Sequence, residues 1–348
     1  MQDRVYIAGV KLVGVMLALI PNLERFSLQT EGPSAYVPVG ALSALTGLSK
    51  PGPLAKLTTL DICDRSLPLG FDYHAGGILE AAAGSLATLN VHMSGGPTQK
   101  VGRERLRNLR TLRISHTRPS AAKLAALLDS CAPPGLEAFT YEATYPFVVN
   151  ILLGPADERD LFQPSDAIQP LIRHKATLQS LHLDLRARGY YNPITDGGDS
   201  QPLPMTLKDL RALKHVFLSA SVLCNHHGRA SYTNHDSILL TQLLPTSVTS
   251  LFLAGDLGQL TPRLGHALVH LAKSAGPRKE FKALRRVRCD AVLATRGLEH
   301  MAVREVFAAR GVDFAFSSWP LSEPTRPGGD AGGGAIAVGA GPGHSSAR

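Results

Sequence analysis

Apolar residues recur along this chain in the phrase L-x-x-L-x-L, stated most fully in the stretch LRNLRTLRISHT from Leu106 to Thr117. Leu112 and Ile114 are two apart, so an extended strand puts them on one face and turns Arg113 to the other. Leu109 sits where the chain runs into that strand. With other apolar residues admitted, the phrase returns at Leu23/Phe26/Leu28, Leu57/Leu60/Ile62, Leu86/Leu89/Val91, Leu136/Phe139/Tyr141 and Leu178/Leu181/Leu183. It continues at Leu213/Val216/Leu218, Val248/Leu251/Leu253 and Leu284/Val287/Cys289, and closes in a degenerate copy at Val312/Phe314/Phe316. The spacing of the central apolar residue runs from 23 (Leu89 to Leu112) to 42 (Phe139 to Leu181).

One such strand cannot bury its apolar face alone and must stack on a neighbour carrying the same phrase. The segments between the strands show helical spacing. Ile78, Leu79, Ala82 and Leu86 share one face, as do Leu124, Leu127, Leu128 and Cys131 after Pro119, read as a first helical position. Ile168 and Leu171, then Leu264, Leu268 and Leu271 behind Thr261-Pro262, repeat the pattern. Leu298, Ala302, Val306 and Ala309 extend it to a stop at Gly311. Strand, loop, helix, strand is the alternation that parallel neighbours require, because they need a crossover. The pattern therefore predicts an α/β leucine-rich-repeat solenoid over residues 1–320, with about nine to ten irregular repeats. Its curved parallel sheet lines the concave face, with helices and irregular loops on the convex face. Tyr145–Pro164, Gly189–Pro204 and Asn225–His235 read as excursions, and the glycine-rich 321–348 as a disordered tail.

Composition changes this picture little. A hydrophobic content of 44% suffices for a continuous core. The net charge of +8 raises the question of polyanions, since the basic residues cluster twice. Lys100, Arg103, Arg105, Arg107, Arg110 and Arg113 form the first group, and Arg278, Lys279, Lys282, Arg285, Arg286 and Arg288 the second. Both flank repeat strands, where exposed positions must be polar, and no aromatic residues are interleaved for base stacking. Cys63, Cys131, Cys224 and Cys289 show no CxxC pairing, so reduced thiols in the cytoplasm or nucleus are expected. The apolar run Val5 to Ile20 is read as the helix of the first unit, neither a signal peptide nor a membrane span.

The phrases LRNLRTL, ATLQSLHLDL, LKDLRALKHVFL and LLPTSVTSLFLAGD resemble the leucine-rich-repeat proteins of filamentous fungi, many of which carry an F-box before the repeats. The resemblance covers roughly residues 9–317. It implies substrate recognition for a ubiquitin ligase, with an F-box docking on a Skp-type adaptor. Nothing ahead of Leu23 is long enough to hold an F-box, so the adaptor is expected only if an F-box lies upstream. The alternatives are a truncated gene product or a repeat-only relative.

Catalytic and ligand motifs are weak. Ser, His and Asp occur without a G-x-S-x-G elbow, and no GxxxxGK[ST] loop is present. Cys224, His226, His227, His235 and Asp236 cluster, yet lack the paired spacing of zinc ligands and read as a polar loop. No cofactor, metal or catalytic residue is assigned, and the chain reads as a non-catalytic protein-binding scaffold. The candidate binding surface is the concave face, carried by Arg113, His182, His215, Phe217, Phe252, Arg286 and Arg288. Phe217 and Phe252 either form an exposed apolar patch of the kind interfaces use or are covered by the long inserts. A polyanion-binding protein using 100–113 and 278–288 is the alternative function.

Overall fold

The computed structural model describes residues 17, 19, 20, 22–30, 54–64, 76–92, 106–133, 135–143, 162–188, 206–224 and 236–321. Each copy of the apolar phrase forms a strand. These are β1 (Arg25–Thr30), β2 (Thr59–Asp64), β3 (Thr88–His92), β4 (Thr111–Thr117), β5 (Ala138–Ala143), β6 (Ser180–Asp184), β7 (His215–Ser219), β8 (Ser250–Ala254), β9 (Arg286–Asp290) and β10 (Asp313–Ser317). They make one ten-stranded open sheet in which spatial order is sequence order, and every pairing is parallel. The central apolar residues stand in register from end to end: Phe26, Leu60, Leu89, Leu112, Phe139, Leu181, Val216, Leu251, Val287 and Phe314.

Period-two alternation explains which way each side chain faces. Leu60/Ile62, Leu89/Val91, Leu112/Ile114 and their counterparts through Val287/Cys289 are buried in one core with the helical leucines. The leading leucines of the phrase, such as Leu57, Leu86, Leu109 and Leu136, join them. Each such side chain contributes about 1.5–3 kcal/mol by leaving water. Just before each strand, one carbonyl accepts two N–H groups of the following unit. Glu24 receives Thr58 and Thr59, Thr58 receives Ala87 and Thr88, and the pattern repeats through Thr249, which receives Arg285 and Arg286. The chain thus locks successive turns together ahead of the sheet proper.

The helices are short: α1 (Gly76–Ala82), α2 (Ala121–Ser130), α3 (Pro164–Ile168), α4 (Ser221–Cys224), α5 (Leu239–Leu243), α6 (Thr261–Lys273), α7 (Ala291–Thr295) and α8 (Val303–Ala308). Two departures from the sequence pattern have clear causes. Pro119 stands outside α2, because Ser120 caps it by accepting from the Lys123 N–H at 3.3 Å. The predicted helix over 298–309 is broken: Leu298–Met301 is a 3₁₀ turn, and Ala302 at φ 51° redirects the chain into α8. The break brings Met301 against α6 at Gly265, where a Cβ would fall 2.1 Å from the Met301 sulfur.

Residues 145–161, 189–205, 225–235 and 322–348 lie outside the described residues, as does 5–16 of the amino-terminal apolar run. Among the described residues, no helix is long and apolar enough to cross a membrane.

Candidate functional site

The sheet face turned away from the helical leucines carries the alternate residues of every strand. Register assembles one row across it: Asp61, Asn90, Arg113, Thr140, His182, Phe217, Phe252 and Arg288. His215 and Arg286 occupy the parallel row two residues before it on the same face, linked through Ser250. All seven residues singled out from the sequence therefore lie on one face. Strand spacing of about 4.8 Å places Arg113 on β4 roughly 24 Å from Arg288 on β9, so the row does not make one compact site.

The aromatic centre is compact. His182 lies flat on Phe217, with ring centroids 3.9 Å apart and planes at 6°. The rings of Phe217 and Phe252 meet Trp319 at 5.8 Å and 6.1 Å between centroids, each nearly perpendicular. Phe217 retains 5% of its exposure, whereas Phe252 and Trp319 are half-buried. The patch is thus covered by a residue beyond β10. Among the described residues Trp319 lies over both rings, and the inserts expected to cover them fall outside the described residues.

A charged frame holds that cover in place. The Arg186 guanidinium donates to the Trp319 carbonyl. Asp184 fixes Arg186 through Nε to Oδ1 at 3.0 Å and Nη2 to Oδ2 at 2.7 Å. Asp290 stands 3.8 Å from the same guanidinium and accepts the Gly255 N–H at 2.9 Å. Gly255, at φ 98°, is needed twice over, because a Cβ there would sit 2.9 Å from the Arg186 Cδ. Such paired geometry is stronger than a single exposed contact.

On the β5 side, Glu142 stands 3.3 Å from Arg113 and 3.6 Å from the His182 Nε2. Burial lowers the His182 pKa and the two arginines, Arg113 and Arg186, push the same way, against the pull of Glu142 and Asp184. A neutral imidazole results, suited to stacking on Phe217. On the β9 side, Arg288 and Arg286 both face Asp313, whose carboxyl is held below its ordinary range chiefly by the Arg288 hydrogen bond. The strand-borne arginines of both basic groups are therefore matched by carboxylates, as Arg110 is by Glu137.

Two serine–histidine hydrogen bonds occupy this face: His92 Nδ1 to Ser115 Oγ at 2.9 Å and His215 Nδ1 to Ser250 Oγ at 2.8 Å. A nucleophile–base pair needs a third group to orient the imidazole. Among the described residues no carboxylate bonds either ring. Burial lowers both pKa values, His92 to about 4, with His116 and Arg113 adding to the effect.

His226, His227 and His235 lie outside the described residues, as does the Cys224 side chain. Among the described residues no three His, Cys, Asp or Glu side chains gather to hold a metal. Sequence reasoning missed Trp319, Arg186, Asp184 and Glu142. The one available signal was that Trp319 is the only tryptophan of the chain. No protein-family model matches the sequence, and no curated protein matches it either.

Proposed function

We propose that the ten units are irregular leucine-rich repeats forming a solenoid, and that the chain is a non-catalytic scaffold binding another protein through the open sheet face. The observation that carries this reading is the aromatic cluster of His182, Phe217, Phe252 and Trp319, framed by Arg186, Asp184 and Glu142. Aromatic anchors inside a charged rim are what protein interfaces use, and arginine is enriched there with them. The resemblance to F-box-associated proteins makes the partner a substrate for ubiquitin transfer, in the cytoplasm or nucleus.

A photo-crosslinking residue at Phe252 tests the binding surface, against a control at the exposed Lys273 on α6. A discrete protein adduct from position 252 alone supports it; equal or no trapping from both removes it. Co-precipitation of the full-length gene product with the Skp adaptor tests the ligase branch.

The polyanion reading keeps one specific support, the exposed Arg278, Lys279 and Lys282 just ahead of β9. Retention on heparin that falls steeply with salt would favour it, because phosphate contacts release counterions.

A further inference from the structure

Trp319 belongs to no strand. It follows β10 by two residues, yet its ring has crossed β9 to reach Phe252 on β8 and Phe217 on β7. Its backbone carbonyl meets Arg186, 133 residues earlier in the chain. A side chain seated among rings and a main-chain carbonyl taken by a fixed donor are the two contacts by which a peptide is read.

We propose that the sheet face over β6, β7 and β8 is a binding site for an extended peptide bearing a tryptophan, filled in cis by Ser318–Leu321. The inference rests on the reading that this face binds protein, and it names the chemistry of the ligand. Phe217, stacked on His182, and Phe252 receive the indole, and Arg186 is the donor to the ligand backbone. Asp184 and Asp290 hold Arg186 in position from β6 and β9. Pro320 keeps the residue before it out of the helical region, so the segment stays extended. Trp319 is only half-buried and is tied by a backbone hydrogen bond and two perpendicular ring contacts. A partner peptide with the same anchor therefore competes with the chain's own segment, and the cis occupant sets how strong that partner must be.

The single tryptophan makes the test direct. In the full-length chain, Trp319 emission is expected to be blue-shifted and less quenched by acrylamide than in the free peptide AFSSWPLS, the chain's residues 315–322. Quenching equal to that of the free peptide overturns the cis contact without any variant. Next, full-length Trp319→Ala is titrated with AFSSWPLS, whose tryptophan is then the only indole present. Saturable blue-shift is expected, with at least about tenfold weaker binding of a labelled peptide to wild type and none for its Trp-to-Ala version. No binding by a Trp319→Ala chain that melts like wild type overturns the site. If the peptide fails while position 252 still traps a partner, this inference falls and the scaffold reading stands. If the peptide binds and no partner is trapped, the site serves only the chain's own segment, and the partner ligand falls together with the scaffold reading.

Discussion

The guanidinium of Arg188 lies 3.9 Å above the centroid of the Phe162 ring, in an interior where Arg188 keeps only 2% of its exposure. It also donates to the Pro119 carbonyl at 3.0 Å and to the Tyr141 hydroxyl. An arginine this deep works by packing and by satisfying acceptors at the ends of β4 and β5.

Arg188→Ala is expected to cost about 3 kcal/mol, because it opens a cavity and strands two acceptors. Arg188→Met keeps most of the volume and should cost roughly half as much. Urea unfolding of both measures the difference. Equal losses would mean that the lost volume contributes nothing and that the hydrogen bonds and the ring contact carry the whole effect.

Gly255 and Gly258 separate backbone strain from steric conflict. Both have positive φ, 98° and 54°, but a Cβ at Gly258 meets nothing within 4 Å. Gly258→Ala should lose about 1 kcal/mol to strain alone. Gly255→Ala adds the clash with the Arg186 stem and should lose more, with Trp319 emission moving to the red. Melting temperatures and emission spectra check this; an unshifted spectrum in Gly255→Ala would detach Gly255 from the Trp319 contact.

The histidines give stability an acid-side slope. His92 titrates at about 4 when folded and near 6.5 when unfolded. Between those values the unfolded chain binds more protons, so this stabilisation is complete above pH 6.5 and drains away as pH falls toward 4. His116 shifts the same way. Melting temperature should fall across this window, and His92→Gln should flatten part of the slope. A slope unchanged in the variant would assign it to other groups.

Two of the four thiols should be silent. Cys131 and Cys289 are fully buried, and burial pushes the Cys131 thiol up to about 12 and the Cys289 thiol higher still. The thiolate is the reactive form. Native alkylation followed by peptide mapping should leave both unmodified, while the half-buried Cys63 reacts. Rapid labelling of either buried thiol would show that its unit opens readily.

The parallel α/β arrangement was legible because one apolar marker per unit must meet its counterparts for any of them to leave water. Phe26 and Phe314 stand at opposite ends of the same register for that reason. The break at Ala302 was not legible, since spacing alone cannot reveal that Met301 needs the room left by Gly265. Nor was the cover over Phe217. Trp319 sits in a segment without periodicity, and its contacts are fixed by three dimensions only. Arg186 and Arg188 make the point most sharply: two apart in one loop, one frames the open face and the other is buried against Tyr141.

The link from Arg186 to Trp319 has a thermodynamic consequence. In an array where each strand pairs only with its predecessor and successor, the last units can peel away while the rest persists. By fastening the far end to the middle, this tie makes β7 to β10 share the fate of β6. Cutting it with Arg186→Met, which removes the donor to the main-chain carbonyl, should let hydrogen exchange in those terminal strands outrun exchange in β4 and β5, turning one melting event into two.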